Sequence, residues 1–421
     1  MHLRGIVADT RPLAEPHFRR LWSANIVTVI GAQLTVVAVP AQIYSITGSS
    51  AYVGLTGVFG LVPLVVFGLW GGALADALDR RTLLRFTTAG LIATSALFWL
   101  QAALGNHDVW LLLGLFSLQQ AFFAVNQPTR SAVLPKLLPP ELLPAANSLN
   151  MTVMMAGGIA GPLIGGALIP VLGFSTLYLI DTLTLFATLW AVLALPPLPI
   201  EGVTQAPGLR SIIDGLSYLR GHPVLLMSFL LDLIAMVFGM PRALFPQIAH
   251  ESFGGPTEGG LAFALLFAAI PAGAVLGGVF SGWVSRVRRQ GLAVVVAILG
   301  WGGAITAFGA AVGLAHGAGG PWLGLAVAML VAGGAADMAS AAFRMSMLQA
   351  SATDEVRGRL QGIFIVVVAG GPRIADVAHG GVASLAGTTT AAAGGGVLVV
   401  ILTVVAALAA PVFIRYRLGR G

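Results

Sequence analysis

Long apolar stretches, separated by short polar segments, dominate the pattern of this chain. Runs of about 20 mostly apolar residues, the length that crosses a bilayer, recur from residue 21 to residue 414. Isolated glycines do not end these runs, since membrane helices tolerate them. The pattern predicts twelve helical spans, at 21–45, 52–75, 83–104, 109–134, 145–168, 174–195, 223–247, 259–284, 291–312, 321–345, 359–385 and 393–414.

Composition agrees with this pattern. Only 9% of the 421 residues are charged, against about 25% in soluble domains. This low fraction excludes a soluble protein and favours an all-α membrane protein.

The chain has no cysteine, so disulfides, thiolate metal sites and thiol nucleophiles are excluded. Its one lysine, Lys136, follows Pro135, so no phosphate-binding loop with its Gly-Lys pair can be present. ATP hydrolysis is therefore excluded.

Basic residues predict the orientation. Twenty of the 22 Lys and Arg residues flank the spans on one side of the predicted membrane: Arg4, Arg11, Arg19, Arg20, Arg80, Arg81, Arg85, Arg130, Lys136, Arg210, Arg220, Arg286, Arg288, Arg289, Arg344, Arg357, Arg359, Arg415, Arg417 and Arg420. The positive-inside rule then predicts cytoplasmic termini. We expect a multi-pass protein of a bacterial cytoplasmic (inner) membrane, without a cleaved signal peptide.

The chain is predicted to contain two pseudo-symmetric six-helix halves, 21–195 and 223–414, with cytoplasmic ends 1–20 and 415–421. Arg130 and Arg344 are 214 residues apart, as are Glu141 and Glu355. The connection 196–222 has apolar residues at helical spacing, which fits an amphipathic helix at the membrane surface and a solvated linker helix equally well. Internal duplication is typical of secondary transporters, whose substrate site lies near the midplane between the halves.

Specific motifs resemble the major facilitator superfamily. The segment GGALADALDRR is similar to that superfamily's loop between helices two and three, and GGIAGPLIGGAL resembles its antiporter motif. AAIPAGAVLGGVFSG and MLQASATDEVRGRLQGIF resemble the enterobactin (siderophore) exporter group of drug:proton antiporters. Ala77 and Asp79 depart from the loop pattern, which usually has a basic residue and a glycine there.

The resemblance implies the major facilitator fold and alternating access. It also implies a proton-coupled exporter, an antiporter, of a siderophore-like or amphipathic small molecule. A multidrug or macrolide efflux pump of the same superfamily is an alternative, and a lipid scramblase or channel on this fold is a weaker one. An intramembrane enzyme is disfavoured because only one of seven histidines, His379, lies within a span, which leaves no multi-histidine metal site.

Span eleven carries one group of candidates for proton coupling. Charges inside a membrane cost several kcal/mol, so such residues are paired, neutral or face water. Arg373, Asp376 and His379 recur every third residue and share a helix face. Proton exchange at Asp376 and a permanent structural Arg373–Asp376 pair fit this spacing equally well.

Other spans supply further acidic candidates. Asp232 in span seven is the preferred proton acceptor. Its partner is expected on another helix, because Arg242 lies ten residues further along, about 15 Å on a continuous helix. Asp337 in span ten is a third candidate, whereas Asp181 is predicted to serve helix packing.

The loop motif predicts a cytoplasmic gate of Gly72, Asp76, Arg80, Arg81 and Arg130. The resemblance implies that such an aspartate lies against the amino end of span eleven and a nearby arginine. A carboxylate is stabilised at a helix start by the free amides and the helix dipole. The alternative is that Asp76 and Arg80 are solvated loop charges.

Small residues predict close helix packing. Span five carries Gly157, Gly161, Pro162, Gly165 and Gly166, and span eight carries Gly273, Gly277, Gly278 and Gly282. Such faces allow backbones to approach closely and could seal the two halves against ion leakage. The antiporter-like sequence around Pro162 favours export by resemblance alone.

The resemblance also implies that spans one, four, seven and ten line the substrate cavity. Polar or adaptable residues on these spans are Gln33, Gln42, Gln119, Gln120, Asn126, Phe238, Met240, Arg242 and Met338. The alternative is that the amides hold neighbouring helices together, but the adjacency of Gln119 and Gln120 prevents both from serving one packing interface and favours the cavity. Arg242 and Arg373 would suit an anionic aromatic cargo, and Phe and Met would also accept a lipophilic drug.

No cofactor, metal or nucleic acid is expected. The expected partners are a small-molecule substrate, protons and the lipid bilayer, and the protein is expected to be a monomer.

Overall fold

A computed structural model shows a nearly all-helical chain. It describes residues 9–196, 217–317, 319–351 and 354–417, without the side chains of 69–77 and 351–366. Its helices are α1 (Pro16–Thr47), α2 (Ser50–Ala77), α3 (Arg80–Ala103), α4 (Val109–Leu137), α5 (Leu143–Leu193), α6 (Pro223–Gly239), α7 (Leu261–Val279), α8 (Gln290–Ala315), α9 (Pro321–Ser351), α10 (Asp354–Ala409) and α11 (Pro411–Arg415). Short 3₁₀ turns lie at Arg11–Ala14, Pro140–Leu142 and Ser281–Arg286.

The helix lengths are consistent with the twelve predicted spans. In the part of the chain that the structure describes, ten helical stretches are long and apolar enough to cross a membrane. Two of them, in α5 and α10, are long enough for two crossings. Each of these helices bends between its two halves, at Gly173 and Gly387, where φ is 71° and 83°. Glycine adopts such angles without a steric penalty. The two bends are 214 residues apart, the same interval as between Arg130 and Arg344, which supports the internal duplication.

The chain divides into two compact units, residues 1–39 with 62–208 and residues 40–61 with 209–421. Residues 40–61, which we call the shared hairpin, therefore group with the C-terminal helices although they precede the predicted boundary between the halves. The changes of unit fall at or next to Pro40 in α1 and Pro63 in α2, and a proline removes one helical hydrogen bond. The predicted linker helix lies mostly outside the described residues.

Each unit has a buried apolar interior and an apolar exterior. In the first unit, Leu21, Leu84, Val133 and Val192 belong to one buried cluster. In the second unit, α8 packs against α9 and α10, and α9 packs against α7. Large apolar side chains are also left outside, and Leu385 is 91% exposed. Such exposure is unfavourable in water and fits a surface that faces lipid.

Two aspartates begin helices in the first unit. Asp79 accepts a hydrogen bond from the Thr82 amide at 2.9 Å, and Asp108 accepts one from the Trp110 amide at 2.8 Å. A side-chain oxygen at this position satisfies an amide that has no partner within the helix. The departure of Asp79 from the loop pattern therefore has a local structural role, as the cap of α3.

The predicted glycine faces pack closely within each unit. A Cβ on Gly157 or Gly161 would overlap Val29 or Gln33, so the first part of α5 lies directly against α1. In the second unit, a Cβ on Gly277 would lie 2.9 Å from the Ala335 carbonyl oxygen, so α7 lies against the α9 backbone. The inclusion of Gly282 in this face was wrong. Helix α7 ends at Val279, and Gly282 lies in the following 3₁₀ turn with open space around it.

Candidate functional site

The predicted seventh span is a broken helix. Helix α6 ends at Gly239, and Met240 has non-helical angles of φ −114° and ψ 80°. A 3₁₀ turn at Arg242–Leu244, a short helix at Phe245–Gln247 and a π-helical turn at Ile248–Ser252 follow. Pro241 cannot donate a hydrogen bond to continue α6. The prediction of one continuous helix over 223–247 was wrong, and broken helices are typical of binding sites in secondary transporters.

An ionic triad with two buried members and one half-buried member lies between α6 and α9. The Arg344 guanidinium forms an ion pair with Asp232, and its Nη2 lies 3.9 Å from Oδ1 of Asp337. The side chains of Arg344 and Asp232 are 5% and 2% exposed, whereas that of Asp337 is 27% exposed. Asp337 and Arg344 are two helical turns apart and share one face of α9. The partner of Asp232 is therefore Arg344, on another helix, as expected from the sequence.

The position of Arg344 corrects one sequence interpretation. Its place near the end of span ten led to its assignment to the connection between spans ten and eleven. Instead, Arg344 lies within α9, and its Nε donates to the Ser340 carbonyl oxygen at 3.4 Å. Removing a guanidinium from water is tolerated only when it is paired, and Asp232 supplies that pair.

The triad has an uneven charge balance. Two carboxylates share one guanidinium, so with all three groups ionised the site carries one net negative charge. A proton on either carboxylate would neutralise the triad and leave the other carboxylate to pair with Arg344. Asp337 is the more exposed acid and can be reached by water more readily than Asp232. The Asp232–Arg344 pair can therefore stay intact while Asp337 binds and releases a proton, and the excess negative charge then lies on the half-exposed carboxylate.

A second charged cluster lies where the segment after α6 meets α10. Arg242 and Arg373 are both close enough to Asp376 to interact with its charge, and the backbone of Ala243 also lies beside the Asp376 carboxylate. The Arg242 guanidinium also lies 5.9 Å from the centre of the Phe267 ring. Asp376 is only 8% exposed. Two cations beside one anion leave a positive charge, and the break after Gly239 is what brings Arg242 here.

His379 lies one turn beyond Asp376 on α10 and is 4% exposed. Its Nδ1 lies 3.0 Å from the Ala375 carbonyl oxygen. A Cβ on Gly395 would lie 2.7 Å from His379 Nε2, so this glycine is what gives the imidazole its space. The role of His379 in proton coupling stays a prediction.

The shared hairpin packs directly on this cluster. A Cβ on Gly60 would lie 2.9 Å from the guanidinium carbon of Arg373, and one on Gly57 would overlap the Arg373 carbonyl oxygen. At the tip of the hairpin, the Ser50 hydroxyl donates to Gln247 at 2.7 Å and the Tyr44 hydroxyl donates to Glu251 at 3.2 Å. These contacts join the hairpin to the segment after α6 and to α10.

The predicted gate is described only in part. The Asp76 side chain and the surroundings of Gly72 lie outside the described residues, so the Asp76–Arg130 contact stays a prediction. Arg80 donates to the Ala132 carbonyl oxygen at 3.3 Å and Arg130 donates to that of Leu21 at 3.4 Å. Arg81 donates to the Leu193 carbonyl oxygen at 2.8 Å, which stabilises the end of α5.

The predicted cavity residues differ in their surroundings. Gln33, Gln119 and Gln120 are half-buried in the first unit, and their role in substrate binding stays a prediction. Asn126 instead donates to the Thr87 and Thr88 hydroxyls at 2.8 and 3.3 Å and is 7% exposed. It therefore joins α4 to α3, as the helix-packing alternative for these amides predicts. Gln42 is buried in the shared hairpin.

The remaining cavity candidates belong to the second unit. Met240 is buried at the break after α6, and Phe238 is half-buried in the last turn of that helix. Met338 is half-buried on α9, beside Asp337. Apolar side chains thus flank both charged groups, the triad and the cluster around Asp376. This mixture suits a ligand that is partly apolar and partly charged.

Comparisons with known proteins agree with this architecture. The chain is 28% identical over 371 residues to the enterobactin exporter EntS of Shigella boydii serotype 18, and equally to that of Escherichia coli O1:K1, covering 88% of this chain and 86% of each relative. Among solved structures, a bacterial homologue of the human lysosomal transporter Spinster has a TM-score of 0.73 at 17% identity, covering 97% of this chain and 100% of its own. A mutant POT peptide transporter bound to alafosfalin has a TM-score of 0.76 at 12% identity, covering 96% of both chains.

These relatives are transporters and not enzymes, which confirms that expectation. The prediction of a major facilitator protein related to the enterobactin exporters is also confirmed. The family model described as transmembrane secretion effector matches residues 7–414, nearly the whole chain. The protein is therefore a multi-pass membrane transporter that belongs to the transmembrane secretion effectors of the major facilitator superfamily.

Proposed function

We propose that this chain is a proton-coupled exporter of anionic, amphipathic small molecules of the siderophore type. The observation that carries the proposal is the triad of Asp232, Arg344 and Asp337, in which a buried and a half-buried carboxylate share one buried guanidinium. Such a site favours binding one proton, because protonation removes the excess negative charge. In an antiporter, the substrate leaves on one side of the membrane, and the proton is then released on the opposite side.

The proton site and the substrate site are proposed to be separate. Protonation of Asp337 leaves the Asp232–Arg344 pair intact, whereas protonation of Asp232 frees Arg344 to turn toward Asp337. These alternatives bias how α6 and α9 pack against each other. A transporter needs such a two-state element for proton binding to change its conformational equilibrium. The inner membrane location, the cytoplasmic termini and the monomeric state belong to the same proposal.

The substrate class is proposed from the second cluster. Arg242 and Arg373 outnumber Asp376 and lie beside Phe267, so the surroundings favour an anion with an aromatic or apolar body. Similarity to the enterobactin exporters supports the same class. A lipophilic cation would be repelled by the positive cluster, which makes the multidrug alternative separable by experiment.

The test uses purified protein in liposomes with an acidic lumen. An iron-free catecholate siderophore is expected to accumulate inside, and a protonophore is expected to abolish the accumulation. Arg242→Gln should reduce siderophore uptake about tenfold, since a charge-assisted hydrogen bond contributes about 1.5–3 kcal/mol and 1.4 kcal/mol corresponds to tenfold. Arg286→Gln, which changes an exposed arginine, is the matched control.

Each other outcome identifies an alternative. Accumulation of a lipophilic cation instead of the siderophore would indicate a multidrug pump. Downhill flux without counterflow exchange would indicate a channel, and loss of lipid asymmetry would indicate a scramblase. Uptake of the siderophore that ignores both the pH gradient and Arg242→Gln would contradict the proposed coupling and the proposed substrate site.

A further inference from the structure

A buried carboxylate in the first unit takes no part in the proposed transport site. Asp181, in the second part of α5, is 1% exposed. Its Oδ2 accepts hydrogen bonds from the Thr35 hydroxyl of α1 at 2.7 Å and from the Ser95 hydroxyl of α3 at 2.9 Å. Asp181 thus lies where three membrane helices meet, which goes beyond a simple packing contact.

The second carboxylate oxygen is left without a partner. Asp181 Oδ1 is buried and accepts no hydrogen bond, and a Cβ on Gly31 would lie 3.1 Å from it while overlapping the Thr184 hydroxyl. Among the residues that the structure describes, no basic side chain forms an ion pair with Asp181. An ionised carboxylate in such a place is strongly disfavoured.

The charged groups of the surrounding helices are far away or neutral. Helix α5 contains no lysine, arginine or histidine. Arg85 on α3 and Arg20 on α1 are the basic residues nearest in sequence to Ser95 and Thr35. They are ten and fifteen positions away, about 15 and 22 Å along a helix. The titratable neighbour is the phenol of Tyr178, whose ring stacks on Phe98 with centroids 5.1 Å apart.

Hydroxyl groups make the pocket suitable for both protonation states. Ser95 and Thr35 can each donate to a carboxylate or accept from a carboxylic acid, because a hydroxyl has one proton and two lone pairs. The Thr182 hydroxyl donates to Ser95 at 3.0 Å, so a reorientation of Ser95 can be compensated by its neighbour. A metal cation is held by several strong ligands, and the described residues contain no group of three or more His, Cys, Asp or Glu side chains that could hold one.

We propose that Asp181 is a proton-binding site of the first unit, separate from the Asp232–Arg344–Asp337 triad. In this arrangement the carboxyl is neutral and holds α1 to α3 and α5 through Thr35 and Ser95. Thr35 lies four residues before Val39, the last residue of α1 that groups with the first unit. Proton release from Asp181 accompanies loosening of this part of α1.

Infrared difference spectroscopy of the full-length protein in lipid tests the proposal without substrate or transport. At neutral pH, the spectrum of the parent protein minus that of Asp181→Asn should contain the carbonyl stretch of a protonated carboxylic acid. This band should be retained in Asp232→Asn, and should lose amplitude as the pH is raised, since a carboxyl is neutral below its pKa. Thr35→Val should keep the band but shift its frequency, because one hydrogen bond is lost.

Three outcomes would overturn the proposal. One is a difference spectrum at neutral pH that contains only carboxylate bands. Another is a change in the Asp181 bands when choline is replaced by sodium, which would indicate a sodium site. The third is an unchanged band frequency in Thr35→Val. If Asp181→Asn does not fold, the spectra of Thr35→Val and Ser95→Ala are each compared with that of the parent protein. A frequency shift of the carboxylic acid band in these variants then assigns the band to Asp181. Because no transport is measured, failure here is distinguishable from failure of the proposed function.

Discussion

Arg344→Gln is expected to give the largest loss of stability of any single change in the triad. The substitution leaves the Asp232 carboxylate, whose side chain is 2% exposed, without its counter-charge. Breaking a buried ion pair by removing one partner costs about 3–5 kcal/mol. The measurement is the free energy of unfolding in detergent micelles, followed through the intrinsic tryptophans. Transport driven by a pH gradient should be lost as well.

The double variant Asp232→Asn with Arg344→Gln separates charge from shape. It removes both charges while keeping side chains that can hydrogen-bond to each other, so most of the stability should return. Proton-driven transport should stay absent, because the Asp232 carboxylate and the guanidinium that it shares with Asp337 are both missing. Arg286→Gln is the control, since that arginine is exposed. Equal destabilisation by the single and the double variant would refute the pairing of Arg344 with Asp232.

Gly57→Leu is expected to detach the shared hairpin from α10. A Cβ at residue 57 would overlap the Arg373 carbonyl oxygen and lie 2.8 Å from Val377 Cγ2. The backbone atom cannot move aside by a rotamer change, and overpacking costs about 1–3 kcal/mol. Gly68→Leu, on the same helix α2, is the matched control because a Cβ there meets nothing within 4 Å.

Cysteine labelling measures this detachment, since the chain contains no native cysteine. Ser50 at the hairpin tip is 2% exposed, so Ser50→Cys should react slowly with a polar maleimide in the otherwise native chain. Adding Gly57→Leu should raise the labelling rate about tenfold, the factor that corresponds to 1.4 kcal/mol. Adding Gly68→Leu should not. Equal rates in the two backgrounds would contradict a close hairpin contact at Gly57.

Much of the fold could be predicted from hydrophobicity alone. Membrane helices must satisfy their own backbone hydrogen bonds, so long apolar runs translate directly into helices. The bends at Gly173 and Gly387 fall in the gaps between predicted spans, at 169–173 and 386–392. The break after Gly239 was missed, because Met240 and Pro241 continue an apolar run and hydrophobicity does not report backbone angles. The sequence Gly-Met-Pro was the available signal.

The charged site could be predicted only in part. The sequence identifies several candidate residues because they are rare charges within apolar runs: Asp232, Asp337, Arg373 and Asp376. Arg344 was assigned to a connection because it lies near a helix end, although its spacing of two turns from Asp337 placed both on one helix face. Pairing between helices depends on tertiary packing, which no periodicity in one helix reveals.

The internal duplication helps to separate architecture from chemistry. At the interval of 214 residues, Phe123 on α4 corresponds to Asp337, and Gly395 on α10 corresponds to Asp181. The bends and Arg130/Arg344 recur in both halves, whereas these acidic residues do not. The repeated features therefore belong to the fold, and the unrepeated acids are the natural candidates for functions that differ between the halves.

The central claim is that the acids of the triad carry the transported proton. Its most direct test is siderophore accumulation in liposomes with an acidic lumen, compared between the parent protein, Asp232→Asn and the control Glu258→Gln, which changes an exposed acid. The account predicts that Asp232→Asn folds and still catalyses counterflow exchange at equal pH, but no longer accumulates substrate against a gradient. Accumulation by Asp232→Asn that matches the parent protein at every pH gradient would contradict it.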